Sequence, residues 1–173
     1  MSIEALKTRI PDYAKDVRLN LSTLLQAEAL TPAQAAGAAV AAAYAARNGE
    51  VLRAIIQEIG DSLGAKELEA AKAAGAIMSM NNIYYRSVHQ LGGDYGKLPA
   101  KLRMNVIANH GVDKVDFELW SIAASAINGC GLCLTSHERE VRGKGLSAEA
   151  VRDALRIAAI IHSAVAVIEA EAA

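Results

Sequence analysis

The sequence predicts an all-α protein, and three observations carry that prediction. Alanine supplies 36 of the 173 residues, about a fifth of the chain. Aromatic residues are scarce, with one Trp, one Phe and five Tyr. Alanine is the strongest helix former, whereas aromatic side chains favour strands. No segment alternates apolar and polar residues as a half-buried strand does. The length fits one domain over residues 1–173, and no long linker divides it.

The elements follow in order. A short helix from Ile3 to Arg9 should end before Pro11. Tyr13, Val17, Leu21, Leu24 and Leu25 then recur at helical spacing. Thr31 and Pro32 form a start signal, a capping hydroxyl followed by a proline in the first turn. That helix should run to about Ala46 and stop at Asn48-Gly49. Val51, Leu52, Ile55, Ile56 and Ile59 give the apolar face of the next. Leu68, Ala71, Ile77, Met78 and Ile83 belong to one or two more, before Gly92-Gly93-Asp94 breaks the pattern. Lys97-Leu98-Pro99 continues that loop. A helix is expected near Ala100–Ala108, then a turn at His110-Gly111. Asp113 can cap a helix from Lys114 to Ile127. Asn128-Gly129 breaks it, and a helix from Cys130 to Arg142 follows, closed by Gly143 and Gly145. Ser147 before Ala148-Glu149-Ala150 marks the last helix, which should reach Glu169. Ala73–Ile77 echoes Ala123–Ile127 fifty residues later, the trace expected of a duplicated helical unit.

Composition also excludes functions. Eighteen basic residues against nineteen acidic ones leave a net charge of -1, so no basic surplus points to nucleic acid. The alanine-rich run Ala33–Ala46 is too short to span a bilayer. The opening MSIEALKTRI lacks the apolar core of a signal peptide. A cytoplasmic protein with no membrane partner is the expectation. The two cysteines, Cys130 and Cys133, close too short a loop to staple a secreted fold.

The informative segment is Glu118–Arg142. On a helix of about 100° per residue, Cys133 lies about 60° and His137 about 20° from Cys130, so all three share one face. A cysteine in a first turn sits among unpaired N–H groups, and beside a histidine it titrates below the free thiol value of about 8.5. Two other readings stay open. Buried cysteines are often plain packing. Cys130, Cys133 and His137, with Glu118 as a fourth, could also ligate zinc, but no second C-x-x-C or H-x-x-H pair accompanies them. Glu118 shares a face with Ile122, Ser125 and Ala126 on the preceding helix, from which it could reach the cysteine face. His89, His110 and His162 have no partners at useful spacing and read as structural. Met78 and Met80 read as core or subunit-interface packing, and Tyr84-Tyr85-Arg86 as surface packing or the rim of a site. Phe117 and Trp120 flank Glu118 as candidates to exclude water. No G-x-G-x-x-G or P-loop pattern marks a nucleotide site.

These residues resemble the alkylhydroperoxidase AhpD family, within the carboxymuconolactone decarboxylase-like superfamily. The resemblance runs nearly end to end, through MSIEALKTRIPDYAKD, AIMSMNNIYYR, LRMNVIAN and FELWSIAASAINGC-x-x-C-x-x-x-H-E. It implies an all-α homotrimer that reduces organic hydroperoxides with electrons from dihydrolipoyl groups of a lipoylated acyltransferase protein. It also implies regeneration of an AhpC-type peroxiredoxin, with no bound cofactor or metal. By the same resemblance Cys133 is the peroxidatic thiol, Cys130 the resolving thiol, and Glu118 with His137 the proton relay. Helix-terminus electrostatics alone would make Cys130 the more acidic thiol; adjacency to His137 favours Cys133. Gly131-Leu132 stands where some members carry a second histidine. The competing readings are a disulfide reductase adaptor with little peroxidase activity, a non-redox decarboxylase or isomerase of the wider superfamily, and a structural trimer.

Overall fold

A computed structural model describes residues 2–173. Among these, nine α-helices and three short 3₁₀ turns occur, with no strand. The helices are α1 (Ile3–Lys7), α2 (Lys15–Ser22), α3 (Pro32–Ala45), α4 (Gly49–Ile59), α5 (Ala65–Leu91), α6 (Asn105–Ala108), α7 (Lys114–Ile127), α8 (Gly131–Gly143) and α9 (Ala148–Ala170). No helix among the described residues is long and apolar enough to cross a membrane.

The centre of the fold is α3. Its sequence PAQAAGAAVAAAYA is apolar on nearly every side, a pattern that only a helix surrounded by others satisfies. Ala35 to Ala43 are all buried, and α4, α5, α7 and α9 pack around them. Small side chains set how close those neighbours come. The Trp120 indole of α7 lies over Gly37, in the space a Cβ would occupy. Further along α3, a Cβ at Gly75 of α5 would stand 2.8 Å from Tyr44 Cβ and 2.9 Å from the Ala41 carbonyl.

The start of α3 is a full capping box. Thr31 Oγ1 accepts from Gln34 N at 3.2 Å, and Gln34 Oε1 accepts from Thr31 N at 3.1 Å. Gln34 also ties α3 to α7: its Nε2 donates to Asp116 (2.9 Å), and its carbonyl accepts from the Trp120 indole N–H (3.3 Å). Burial pushes the Asp116 carboxyl above its ordinary range, against the opposing effect of that Gln34 hydrogen bond.

Several expected boundaries move. The helix expected over Ala100–Ala108 forms only at Asn105–Ala108, because Lys101 takes a left-handed φ of 52° and interrupts it. Thr8 already caps α1, so Arg9 lies outside it and pairs with Glu50. Tyr13 does not join the apolar face of α2; it is 74% exposed on a 3₁₀ turn and donates to Glu171 (2.7 Å). Residues 65–91 form one uninterrupted helix. The internal echo therefore places matching sequence on α5 and α7, but α5 continues through Met80 and Ile83 where α7 has ended and α8 begins.

The alanine and glycine packing has a direct test. Gly37→Ala should lower the unfolding free energy by about 1–3 kcal/mol, because a methyl group there must displace the Trp120 ring. Gly143→Ala, in open space within α8, should leave stability unchanged or raise it by about 0.4–1 kcal/mol. Urea titration of both variants checks the contrast.

Candidate active site

The turn between α7 and α8 places the cysteines. Gly129 adopts φ 65°, a left-handed conformation that a residue without Cβ reaches at little cost. Its N–H donates to the Ala126 carbonyl (3.2 Å), and the Cys130 N–H donates to the Ser125 carbonyl (3.2 Å). These two bonds are the paired closure of a Schellman turn at the end of α7. The chain then enters α8 at once, with Cys130 as its N-cap at φ -93° and ψ 90°. Cys130 therefore lies just outside the helix, not in its first turn, and the angular comparison from position 130 does not apply. Its sulfur takes the role of a capping oxygen and accepts from Cys133 N at 3.3 Å.

The Cys130 and Cys133 sulfurs are joined as a disulfide, with Cα atoms 5.3 Å apart, within the usual span of such a bond. Both residues are buried, Cys130 completely and Cys133 to 7% exposure. Cys133 lines a cavity of about 440 Å³; Cys130 does not.

One turn beyond Cys133, His137 meets Glu118. The Nδ1–Oε2 distance is 2.6 Å, and both side chains are largely buried. The contact joins α8 to α7 and unites the residues singled out from spacing: Glu118, Cys130, Cys133 and His137. On its other edge His137 Nε2 faces the Met78 sulfur at 3.3 Å. A thioether accepts but cannot donate, so this contact suits an Nε2–H. Nearby, Lys114 pairs with Glu140 across α7 and α8 (2.7 Å). That hydrogen bond holds Glu140 below its usual range and Lys114 above it, but the pair is exposed and contributes little to stability.

A third helix completes the site, and of it the sequence marked only Tyr84-Tyr85-Arg86, as surface packing or the rim of a site. Met78, Asn81, Asn82 and Tyr85 fall at positions i, i+3, i+4 and i+7 on one face of α5. Met78, Asn81 and Tyr85 wall one side of the cavity; Leu132, Cys133, Ser136 and His137 wall the other, with Met104 and Ile107 completing it. Met78 thus belongs to the site as well as to the core, and Tyr85 follows the second of its two readings, lining the cavity. Asn82 is fully buried between α5 and the turn: its Nδ2 donates to Ser125 Oγ (2.9 Å), and its Oδ1 accepts from Asn128 Nδ2 (3.0 Å). Arg86 donates to the Asn128 carbonyl. The available signal was a pair of asparagines in a long helix, where asparagine is disfavoured unless its side chain is used.

The remaining candidates lie elsewhere. His89 and His162 are exposed. His110 stacks on Phe117 with ring centroids 4.4 Å apart, and its Nδ1 accepts from Val112 N (3.3 Å). Phe117 and Trp120 are both buried; Trp120 lies over Gly37 of α3, and Phe117 stacks on His110. Among the described residues, no group of three or more His, Cys, Asp and Glu is arranged to hold a metal ion.

Residues 93–173 match the model of the carboxymuconolactone decarboxylase family. The whole chain is 64% identical to a protein of Rhodospirillum centenum named alkyl hydroperoxide reductase AhpD, over 94% of that relative's length. It is 58% identical to the protein of the same name in Gluconacetobacter diazotrophicus, again over the whole chain and over 96% of the relative. A Brucella canis protein of that name is 54% identical over 98% of both chains.

The turn network carries its own prediction. Asn82→Ala should cost about 1–3 kcal/mol of unfolding free energy, because Ser125 and Asn128 lose a buried partner. Asn109→Ala, at an exposed position, should stay within about 0.5 kcal/mol of the parent. Denaturant midpoints measured on the oxidised protein make the comparison.

Proposed function

The chain belongs to the AhpD family of the carboxymuconolactone decarboxylase superfamily, and from that membership and its thiol site we propose an antioxidant alkyl hydroperoxide reductase. The observation that carries the reading is the apposition of a Cys130–Cys133 pair, one sulfur facing a cavity, with a buried Glu118–His137 pair one helical turn away.

In the proposed cycle, the Cys133 thiolate attacks the terminal oxygen of ROOH. The S–O bond forms, the O–O bond breaks, and the alkoxide takes a proton to leave as ROH. Cys133 is then a sulfenic acid. Cys130 attacks its sulfur, water departs, and the Cys130–Cys133 disulfide closes. A dihydrolipoyl dithiol, carried on a lipoylated acyltransferase protein, reduces that disulfide through a mixed disulfide and is itself oxidised. Glu118 and His137 move the protons. Exposure favours Cys133 as the attacking sulfur, since it lines the cavity and Cys130 is sealed behind it. The reduced Cys130–Cys133 pair also passes electrons to an AhpC-type peroxiredoxin, regenerating it. Homotrimer assembly and recycling in the reducing cytoplasm belong to the same reading.

A coupled assay tests it. Peroxide consumption driven by dihydrolipoamide should occur with the parent and vanish in Cys130→Ser and Cys133→Ser. Glu118→Gln should lower turnover roughly 10²–10⁴-fold, the range for loss of general acid–base help. After peroxide treatment, a dimedone-type probe should label Cys130→Ser at Cys133; labelling confined to Cys133→Ser would reverse the two roles. Turnover that appears only when a peroxiredoxin is added would favour the adaptor reading instead.

A further inference from the structure

His137 is held at both edges, and the proposed cycle uses only one of the two contacts. Glu118 Oε2 lies 2.6 Å from Nδ1 on the α7 side, and the Met78 sulfur lies 3.3 Å from Nε2 on the α5 side. Met78 is 1% exposed, so its sulfur draws its donors from the protein rather than from bulk water. A second donor reaches the same atom: Asn82 Nδ2, 3.8 Å away, which also donates to Ser125 Oγ. One thioether therefore meets both the turn network that carries Cys130 and the far edge of the Glu118–His137 pair. A thioether accepts hydrogen bonds and donates none. It attracts Nε2 only while that nitrogen carries a hydrogen; a bare Nε2 would set lone pair against lone pair.

We propose that Met78 is a positioning residue for the relay, its sulfur holding a hydrogen on His137 Nε2. The inference rests on the hydroperoxide reductase reading above, and Met78 acts on the thiol only through His137. A carboxylate beside Nδ1 alone favours a hydrogen on that side and leaves Nε2 bare, because the partner of one ring nitrogen sets the state of the other. Met78 makes the opposite demand at Nε2. Both demands are met when the ring carries both hydrogens, a cation facing the Glu118 carboxylate. A cationic histidine one helical turn from Cys133 favours the thiolate, the form that attacks ROOH. Glu140, paired with Lys114, and Tyr85 on the cavity wall also face this region, but among the described residues the hydrogen-bond partner of Nε2 is the Met78 sulfur.

Ring-nitrogen NMR and kinetics together separate this role from packing. In the oxidised parent at neutral pH, the His137 Nε2 signal should be that of a hydrogen-bearing nitrogen; a bare Nε2 there would overturn the inference without any variant. Met78→Leu conserves volume, a change that cores tolerate, and removes the acceptor. In it the Nε2 signal should move toward that of a bare nitrogen. The second-order rate of disulfide formation by cumene hydroperoxide should fall by between about twofold and tenfold, the range for one hydrogen bond. In a Cys130→Ser background, iodoacetamide alkylation of Cys133 should fall by the same factor, because it too needs the thiolate. Met78→Ile repeats the comparison should the leucine prevent folding. A core that is merely looser leaves the nitrogen signal in place, so an unchanged signal in the variant would overturn the inference whatever the rates do. Parent rates of oxidation and alkylation in a variant whose Nε2 has lost its hydrogen would also overturn it, by separating the contact from the reaction. A parent protein that forms no disulfide with hydroperoxide would remove the underlying reading, while the alkylation of Cys133 would still report whether Met78 acts on the thiol.

Discussion

The thiol site depends on the chain reversing direction between α7 and α8 without a free loop. One left-handed glycine makes that possible. Gly129 lets the Schellman closure of α7 end on Cys130, and Cys130 begins α8 as its N-cap. A single residue thus serves both helices, and its sulfur is held where the first free N–H groups of α8 point. Helix starts normally recruit a side-chain oxygen for this purpose. Here the Cys130 sulfur occupies that place, accepting from the N–H of the residue to which it is disulfide-bonded. A longer or looser connection would leave the two sulfurs without a common frame and would separate His137 from Glu118, since the same turn sets how α7 and α8 lie together.

That turn is held from outside by α5, and the position of α5 follows from the size of side chains on α3. Both α5 and α7 rest on α3. With Gly37 beneath Trp120 of α7, and Gly75 of α5 meeting Tyr44 and Ala41, the three helices lie close enough for Asn82 to reach Ser125 and Asn128. Larger residues on α3 would add apolar area but would push α5 outward. Hydrogen bonds fall away steeply beyond about 3.5 Å, whereas apolar packing tolerates small shifts. The alanine content is thus tied to the polar chemistry one layer further out, because it keeps α5 within hydrogen-bonding distance of the α7–α8 turn.

The sequence carried the parts of this arrangement that depend on near neighbours. Thr31-Pro32, Asp113 and Ser147 announced three helix starts, and the side chain of each caps its helix. The i, i+4 spacing of Cys133 and His137, and Glu118 on the helix before, singled out side chains that the fold brings together. What spacing could not reveal is the contribution of α5. Asn82 and Ser125 are 43 residues apart, and Met78 and His137 are 59. Such pairs are set by how helices pack on α3, and the local pattern around Met78 and Asn81 is that of an ordinary long helix. The lost turns at residues 100–104 have the opposite origin. The residue pattern there suits a helix, but the backbone at Lys101 is left-handed.

The same geometry bears on which sulfur meets the substrate. The field of a helix N-terminus acts on both cysteines, since one caps α8 and the other lies in its first turn. The helix terminus therefore does not by itself choose between them. Access separates them sharply: Cys130 is sealed by the turn that holds it, while Cys133 looks into the cavity shared by His137 and Asn81. A sulfur that must be approached by a peroxide in line with its O–O bond needs open space on one side. A sulfur that must later close onto its neighbour needs only to be near. In the proposed cycle each cysteine occupies the position suited to its step, and the difference arises from the backbone, because Cys130 is committed to capping α8 and Cys133 is not.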